Sequence, residues 1–340
     1  MVKQYTRDLP WQSEPQPRAS SQERLAWYAG VVRWAPSKHN SQPWRCVVQD
    51  GVLSVWADPG RVLPDTDPDR RELTLSCGAA LEVACVAARG IGHRPQVRVL
   101  PLGPGGPVAQ LVEAGAWEST DDDRALLAAI PRRRTDRGPL DAPSLPAQAP
   151  FLLQSAAAGL GVGLRLVRSP GERATLARLV ERADRVLVQQ PRVDEETRLW
   201  VRDVGDDRPD GVPADHTRGA AASYRAEFVQ RDFSTPESRP AQDRPGPDRA
   251  LVGVLHSAGD SLRDWVDAGR GLTAVLLRAT VLGANASYLN QPVEHPPTRV
   301  ELRDVLSLPG VPQLVLRLGA GDAAIPPPPR RQASDVMYLP

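Results

Sequence analysis

The stretch Trp34-Ala35-Pro36-Ser37-Lys38-His39-Asn40-Ser41-Gln42-Pro43-Trp44-Arg45 sets Ser, Lys, His, Asn and Gln between two prolines and two tryptophans. Proline fixes φ and restricts the residue before it, so this loop is stiff. Short donors and acceptors on a stiff loop suit the holding of a polar ring system by hydrogen bonds. The plainer alternative is a polar loop anchored by its tryptophans. A second concentration of chemistry is Pro131-Arg132-Arg133-Arg134-Thr135-Asp136-Arg137. Guanidinium forks match phosphate oxygens and stay charged, and a threonine hydroxyl adds a neutral donor. The competing reading there is a solvated basic turn. A late pair, Arg330-Arg331, follows the stiff run Pro326–Pro329.

Other chemistries find little support. His39, His93, His216, His256 and His295 are scattered, with no HExxH spacing and no cysteine partner, so no metal site is expected. There is no GxSxG and no Walker motif, and no catalytic nucleophile is assigned. Gly159-Leu160-Gly161-Val162-Gly163 is not GxGxxG and comes after a helix pattern instead of opening one, so it reads as a helix stop. Cys46, Cys77 and Cys85 form no CxxC pair, and three unpaired cysteines fit a reducing cytoplasm. A net charge of +1 gives no reason to expect nucleic acid or a membrane surface as partner. Neither a signal-peptide pattern nor an apolar run long enough to span a bilayer is read from the sequence. At 340 residues and 41% apolar content, the chain can hold two modest domains or one large one.

The elements that must position these residues follow from periodicity and punctuation. Residues 1–20 read as an extended arm. A helix is expected over Ser21–Ala35, from Leu25, Tyr28, Val32 and Ala35. Asp50-Gly51 between Arg45–Gln49 and Val52–Ala57 predicts a hairpin. Asp67 and Pro68 read as the cap and first turn of a helix reaching Gly90 or Gly92. A strand near 95–101, a helix over 121–130, a helix ending at Ala158 and a strand Leu164–Val167 follow. Ser169 to Glu172 is a capping box for a helix to about 188, with a short helix near 194–202. Residues 234–249 read as a mobile loop. Ala250–His256 is a strand, Asp260 opens a helix ending at Gly283, Thr298 and Glu301 form a capping box for a helix to about 307, and Gln313–Leu318 is a strand. A weak internal repeat superposes the helices at 77–92 and 268–283 at one offset, placing Gly78 on Gly269, Leu81 on Leu272, Ala88 on Ala279 and Gly92 on Gly283. Helix 22–35 with its hairpin similarly parallels helix 148–158 with strand 164–167.

Ala35-Pro36-Ser37, then Asn40-Ser41-Gln42-Pro43-Trp44, resembles the flavin-binding loop of the nitroreductase superfamily. Two further segments narrow the resemblance. One is Leu63-Pro64-Asp65-Thr66-Asp67-Pro68-Asp69-Arg70-Arg71-Glu72-Leu73 with the following Leu75–Leu81; the other is Pro131–Arg137. In this order they resemble the Acg-type branch, a two-domain group of actinobacterial proteins. The similarity extends from about residue 22 to the C-terminus.

The resemblance implies an α+β, nitroreductase-like fold of two tandem repeats, each a mainly antiparallel sheet flanked by helices, together mimicking a homodimer. The repeats would span 21–118 and 119–321, with a C-terminal arm at 322–340. It implies FMN as cofactor, with NAD(P)H a candidate reductant and a small molecule as substrate. Since the loop and the arginine cluster each occur once, one FMN per chain is expected, in a monomer that is an intrachain pseudo-dimer and can dimerise further. By resemblance, Arg133, Arg134, Thr135 and Arg137 meet the phosphate, and Pro36, Ser37, Lys38, Asn40 and Gln42 meet the ring or ribityl chain. Asn290 and Gln291 fall near flavin N5, and Arg330 and Arg331 close the phosphate site. Lys38 or Arg45 is the candidate cation for a reduced, anionic flavin; for His39, a structural role and a flavin contact stay open. Three functions are compatible with this: an oxidoreductase, a flavin-storage protein whose site is covered by a lid, for which 203–222 is the candidate, or a dehydrogenase dedicated to one biosynthetic substrate.

Overall fold

The computed structural model describes residues 14–16, 18–103, 105–203, 205–213, 227–229, 231, 233, 249–322 and 325–338. Residues 1–13 and 17 of the arm, the expected mobile loop apart from Arg249, and residues 204 and 214–222 of the candidate lid lie outside them.

The first half begins with helix α1 (Ser21–Val32), capped by Ser20 in a reciprocal box with Glu23. Strands β1 (Trp44–Gln49) and β2 (Val52–Ala57) form the expected hairpin, with Asp50 at φ 51° and Gly51 at φ 74°. Two consecutive positive-φ residues match the twist of the strands, and glycine meets that requirement without steric cost. Helix α2 (Arg71–Gly90) starts later than Asp67 and Pro68 suggest. The Asp67 carboxylate still serves its first turn, accepting from the backbone N–H groups of Glu72 and Leu73 at 3.0 and 2.8 Å. Strands β3 (His93–Val99) and β4 (Ala109–Ala116) complete this half. β4 is an addition to the expected elements.

Helix α3 (Asp121–Ala129) and a tight turn at Pro131 lead to the arginine cluster. Then come α4 (Ala149–Ala158), β5 (Gly163–Val167), α5 (Pro170–Val188), α6 (Pro191–Leu199), and the short parallel pair β6 (Val201–Arg202) and β7 (Val212–Pro213). Strand β8 (Leu251–Ser257) precedes α7 (Leu262–Val281), whose cap is Ser261, paired with Asp264, and not Asp260. Strand β9 (Asn285–Tyr288), α8 (Gln291–Glu294), α9 (Pro296–Val305) and β10 (Val311–Gly319) follow. The box expected from Thr298 and Glu301 does not form. Thr298 sits inside α9 with its hydroxyl on the Pro292 and His295 carbonyls, and Glu301 pairs with Arg182. The chain closes with α10 (Ala333–Val336) and β11 (Met337–Tyr338).

The strands form two principal sheets. One runs β11-β1-β2-β4-β3 and the other β5-β8-β10-β9. Without β11, which joins β1 in parallel, both are wholly antiparallel and share one strand order: two hairpin-like neighbours, then the last strand, then the one before it. In each, the long helix lies between the second and third strands of the chain order. Those two helices, α2 and α7, pack against each other and form the centre of the molecule. A Cβ on Gly78 would lie 2.2 Å from the Val266 carbonyl oxygen, and one on Gly269 would lie 1.9 Å from that of Leu75. Val266 precedes Gly269 by three residues and Leu75 precedes Gly78 by three, so the contact is reciprocal, as at a two-fold interface. Thr273 adds a bond from its hydroxyl to the Ala79 carbonyl, and Arg270 reaches Glu82.

By length and composition α2 could cross a membrane, contrary to the sequence expectation, but 94% of that window is buried inside the protein. Its apolar surface is answered by α1, α3, α7 and the first sheet, as befits a core helix.

Candidate functional site

One large cavity opens between the two sheet systems, enclosing roughly 1170 Å³ with the open solvent at its mouth included. Its wall takes the loop after α1, the start of α2, the arginine cluster, β9 and the residues after it, Leu272 of α7, Leu314 of β10, Gly211–Pro213, and the C-terminal arm. The loop and the arginine cluster, about ninety residues apart, thus meet across a seam that neither half could enclose alone.

The loop is held in an unusual backbone shape. His39, Asn40 and Gln42 have φ of 50°, 55° and 49°, a left-handed conformation that asparagine and histidine tolerate better than most residues. Ser37 Oγ accepts from the Gln42 N–H. Asn40 Nδ2 donates to the carbonyls of Gly211 and Pro329, and Asn40 Oδ1 accepts from Arg330 at 2.7 Å. Gln42 Nε2 donates to the Pro209 carbonyl at 2.8 Å, and Gln42 Oε1 accepts from the Arg331 N–H. The two amides therefore clamp the loop to β7's flank and to the C-terminal arm.

The arginine cluster is placed by its own aspartate. The Asp136 N–H donates to the Ala286 carbonyl at 2.8 Å, and its carboxylate accepts from the N–H groups of Gly138 and Asp322. Thr135 bridges β9 at Ala286. Arg133, Thr135, Arg137, Tyr288 and Arg330 consequently share one part of the cavity wall. Among the described residues, no carboxylate pairs with Arg133, Arg134 or Arg330. The buried Nε atoms of Arg133 and Arg330 have no hydrogen-bond partner. Burial holds the Arg133 guanidinium below its ordinary range, and burial with repulsion from Arg133 brings Arg134 down to about 10. Arg330 is depressed furthest, by burial and then by Arg133, Arg134 and Arg33. Arg137 lies 4.7 Å over the Phe233 ring, and burial lowers it to about 10. At Arg133, Arg134 and Arg330 this is positive charge taken out of water with no paired carboxylate among the described residues, an expensive arrangement.

Elsewhere the wall is balanced. Lys38 Nζ lies 2.5 Å from Glu72, 3.1 Å from Glu294 and 2.7 Å from the Thr66 carbonyl. Arg231 is paired with Glu294. Burial opposes the charge on Lys38, but Glu294 and Glu72 outweigh it and raise the ammonium above its usual value. Glu294, although buried, is held well below the usual carboxylate range by Arg231 and Lys38. Asp67 is pushed up to about 6 by burial and then by Glu72.

Of the thirteen residues singled out from the sequence, Pro36, Ser37, Lys38, Asn40, Arg133, Thr135, Arg137, Asn290, Gln291 and Arg330 line the cavity. Gln42, Arg134 and Arg331 do not. Arg134 turns to the carbonyls of Ile325 and Arg133, and Arg331 to those of Gln42 and Asp335. Asn290 Oδ1 accepts from the Val315 N–H, and Gln291 reaches Asp184, so both also bind within the protein. Arg45 is bound to Asp58 and is absent from the wall. Glu72, Arg231, Phe233 and Glu294 were not singled out as site residues. Glu72 lies in a quoted motif, but its partner Lys38 gives no local signal for the pairing; Glu294 is 256 residues from that lysine.

No protein-family profile matches the chain. It is 34% identical over 313 residues to a Mycobacterium tuberculosis (strain H37Rv) protein named "Putative NAD(P)H nitroreductase Rv3131", covering 90% of this chain and 88% of that protein. It is 30% identical over 310 residues to "Putative NAD(P)H nitroreductase acg" of the same organism, covering 90% and 92%. A nitroreductase with bound FMN from Bacteroides fragilis overlays 58% of this chain and 89% of its own, at 14% identity and a TM-score of 0.36. The chain belongs to the NAD(P)H nitroreductase family. Within that family it falls with the Acg-type proteins.

Proposed function

We propose that the chain is an FMN-binding oxidoreductase of the nitroreductase type, with one FMN per chain in the seam between two repeats spanning 21–118 and 119–321. The observation that carries this reading is the buried arginine cluster on the cavity wall. Arg133 and Arg330 keep unpartnered Nε atoms and, among the described residues, pair with no carboxylate. A dianionic phosphate would supply the missing acceptors and offset the repulsion. The relatives' names add NAD(P)H as reductant.

In this reading Arg133, Arg137, Thr135 and Arg330 hold the phosphate. Pro36, Ser37, Lys38 and Asn40, with Leu75, Leu272 and Leu314 as apolar surface, bound the space for the ring. The flavin, when bound, supplies two-electron hydride chemistry through N5 toward a small-molecule acceptor. The protein's own part is to bind, orient and exclude water. Lys38 is neutralised by Glu72 and Glu294, so it contributes position more than free charge. A storage role has one observation in its favour: the Asn40 amide ties Gly211, beside β7, across the loop.

Anaerobic addition of NADH or NADPH to the purified yellow protein separates the two. Rapid bleaching of the flavin band is expected for the oxidoreductase; bleaching by dithionite alone supports storage or another donor. Two FMN per chain after reconstitution would contradict a single seam site, and no flavin bound would remove the reading. The site's confinement to one chain has its own test. A variant carrying Asn40→Ala and Gln42→Ala, mixed under subunit exchange with one carrying Arg133→Ala and Arg137→Ala, should recover no FMN binding. Recovery would mean that the site is shared between chains.

A further inference from the structure

Of the loop residues that line the cavity, His39 is the one with a buried side-chain nitrogen left without a partner. Its side chain lines the cavity and is 8% exposed. Its Nε2 is buried without a hydrogen-bond partner, and among the described residues neither ring nitrogen bonds to the protein. Its neighbours Asn40 and Gln42 are saturated by carbonyls and N–H groups, as described above. The imidazole is fixed on one side by the Phe233 ring, 5.9 Å away at 74°, and from below by a left-handed backbone at φ 50°. A buried polar atom without a partner is costly and rare in a native structure, and it calls for a partner that arrives with the ligand.

The charge of that group is fixed by its surroundings. Burial depresses the imidazole well below its ordinary value; Lys38, Arg231 and Arg137 act in the same sense, and Glu294 opposes them. The ring is therefore neutral at physiological pH, with one N–H to give. The wall is rich in cations, at Lys38, Arg133, Arg137, Arg231 and Arg330, and so selects ligands that present oxygen acceptors. The apolar surfaces of Leu75, Leu272 and Leu314 favour a flat, unsaturated body.

We propose that His39 is the hydrogen-bond donor that holds a carbonyl or nitro oxygen on the planar ring of a molecule bound in this cavity. This rests on the cavity being the flavin site. The oxygen belongs either to the flavin ring or to the molecule reduced beside it, and one experiment distinguishes them. A neutral donor fixes such an oxygen without adding charge to a wall already crowded with cations.

The test uses full-length protein labelled with 15N-histidine, with the His39 resonances assigned by their loss in His39→Gln. The expected result is a neutral ring throughout pH 5–8 and a shift of its N–H signal on adding FMN to apoprotein, or on adding 4-nitrobenzoate to the FMN-loaded protein. The first outcome assigns the oxygen to the flavin, the second to the substrate. For whichever molecule moves the signal, His39→Phe should weaken binding about tenfold and His39→Gln less than about threefold, since glutamine keeps a donor. An imidazolium at pH 6, a signal unmoved by either molecule, or equal losses in the two variants would overturn the proposal. If FMN fails to bind wild-type protein, the cofactor reading falls and this one with it. FMN binding with His39 unmoved by both probes removes this one alone.

Discussion

Two parts of the same cavity wall treat buried charge in opposite ways. Around Lys38, buried cations meet carboxylates: Lys38 and Arg231 on Glu294, and Lys38 and Arg71 on Glu72. Around Arg133, Arg134 and Arg330, cations gather with no carboxylate among the described residues. The first group completes itself inside the protein and should support the fold. The second is incomplete and should support binding. Similar residue types in one cavity can therefore have different roles, and the presence or absence of the counter-charge tells them apart.

The sharpest way to break this contrast is to remove one partner from the completed group. Glu294→Gln leaves Lys38 and Arg231 buried with a single remaining carboxylate, and should destabilise the protein by about 3–5 kcal/mol. Urea denaturation measures it; a loss below about 1 kcal/mol would place the network on the exposed, weakly coupled scale.

The matching change in the incomplete group should act on the ligand. Arg133→Ala or Arg137→Ala should weaken FMN about ten- to hundredfold, roughly 1.5–3 kcal/mol, while riboflavin binding changes little. Arg133→Met should leave the apoprotein as stable as before or more so, because a buried, repelled charge is removed. Fluorescence titration with the two flavins checks the first claim and thermal unfolding of apoprotein the second. Equal losses for FMN and riboflavin would remove Arg133 and Arg137 from the phosphate.

Asp67 sharpens the comparison through pH. Its folded value, about 6, lies above its ordinary value of 3.8. The folded state therefore holds this proton more tightly than the unfolded chain does. Stability from this group is fully present below its ordinary value and is lost as pH rises toward and through 6. Asp67→Asn should flatten the stability profile between pH 4 and 6, relative to wild type. An unchanged slope would show that Glu72 and burial do not act on Asp67 as inferred.

The smallest effect is that of an anion alone. Pyrophosphate at about ten times its dissociation constant should stabilise apoprotein by about 1.4 kcal/mol, raising the melting temperature by about 2 °C over chloride at equal ionic strength. The rise should vanish in the doubly substituted Arg133→Ala, Arg137→Ala protein and survive in Lys38→Met.

The parts of this arrangement that sequence reveals are those with local signals. Asp50-Gly51 specifies its hairpin because two adjacent residues carry the whole requirement. Ser169 and Glu172 do the same for α5. The match of Gly78 with Gly269 is legible because close helix contact excludes every larger side chain. By contrast, β4 carries little of a strand's alternation, since its last three residues, among them Gly115, are exposed. β11 is two residues long, below any periodicity. Ten of the thirteen chosen site residues do reach the cavity, yet the partners of Asn40 and Gln42 could not be read, because a side-chain amide shows its capacity and not its recipient. Glu294 was hidden for the same reason: its partner Lys38 is distant in sequence.

The clamp on the loop carries a consequence for synthesis. Asn40 and Gln42 are secured by Pro329, Arg330 and Arg331, some 289 residues later. At about 5–20 residues per second, the ribosome produces the loop roughly 15–60 s before the residues that fix its shape. The N-terminal half can collapse around α2 while it waits, but its left-handed turn has only the ties to Ser37, Pro209 and Gly211 until the tail emerges. Completion of the cavity wall is thereby deferred to the end of translation, and a chain truncated by a dozen residues would lack Arg330 and the clamp on Asn40 and Gln42.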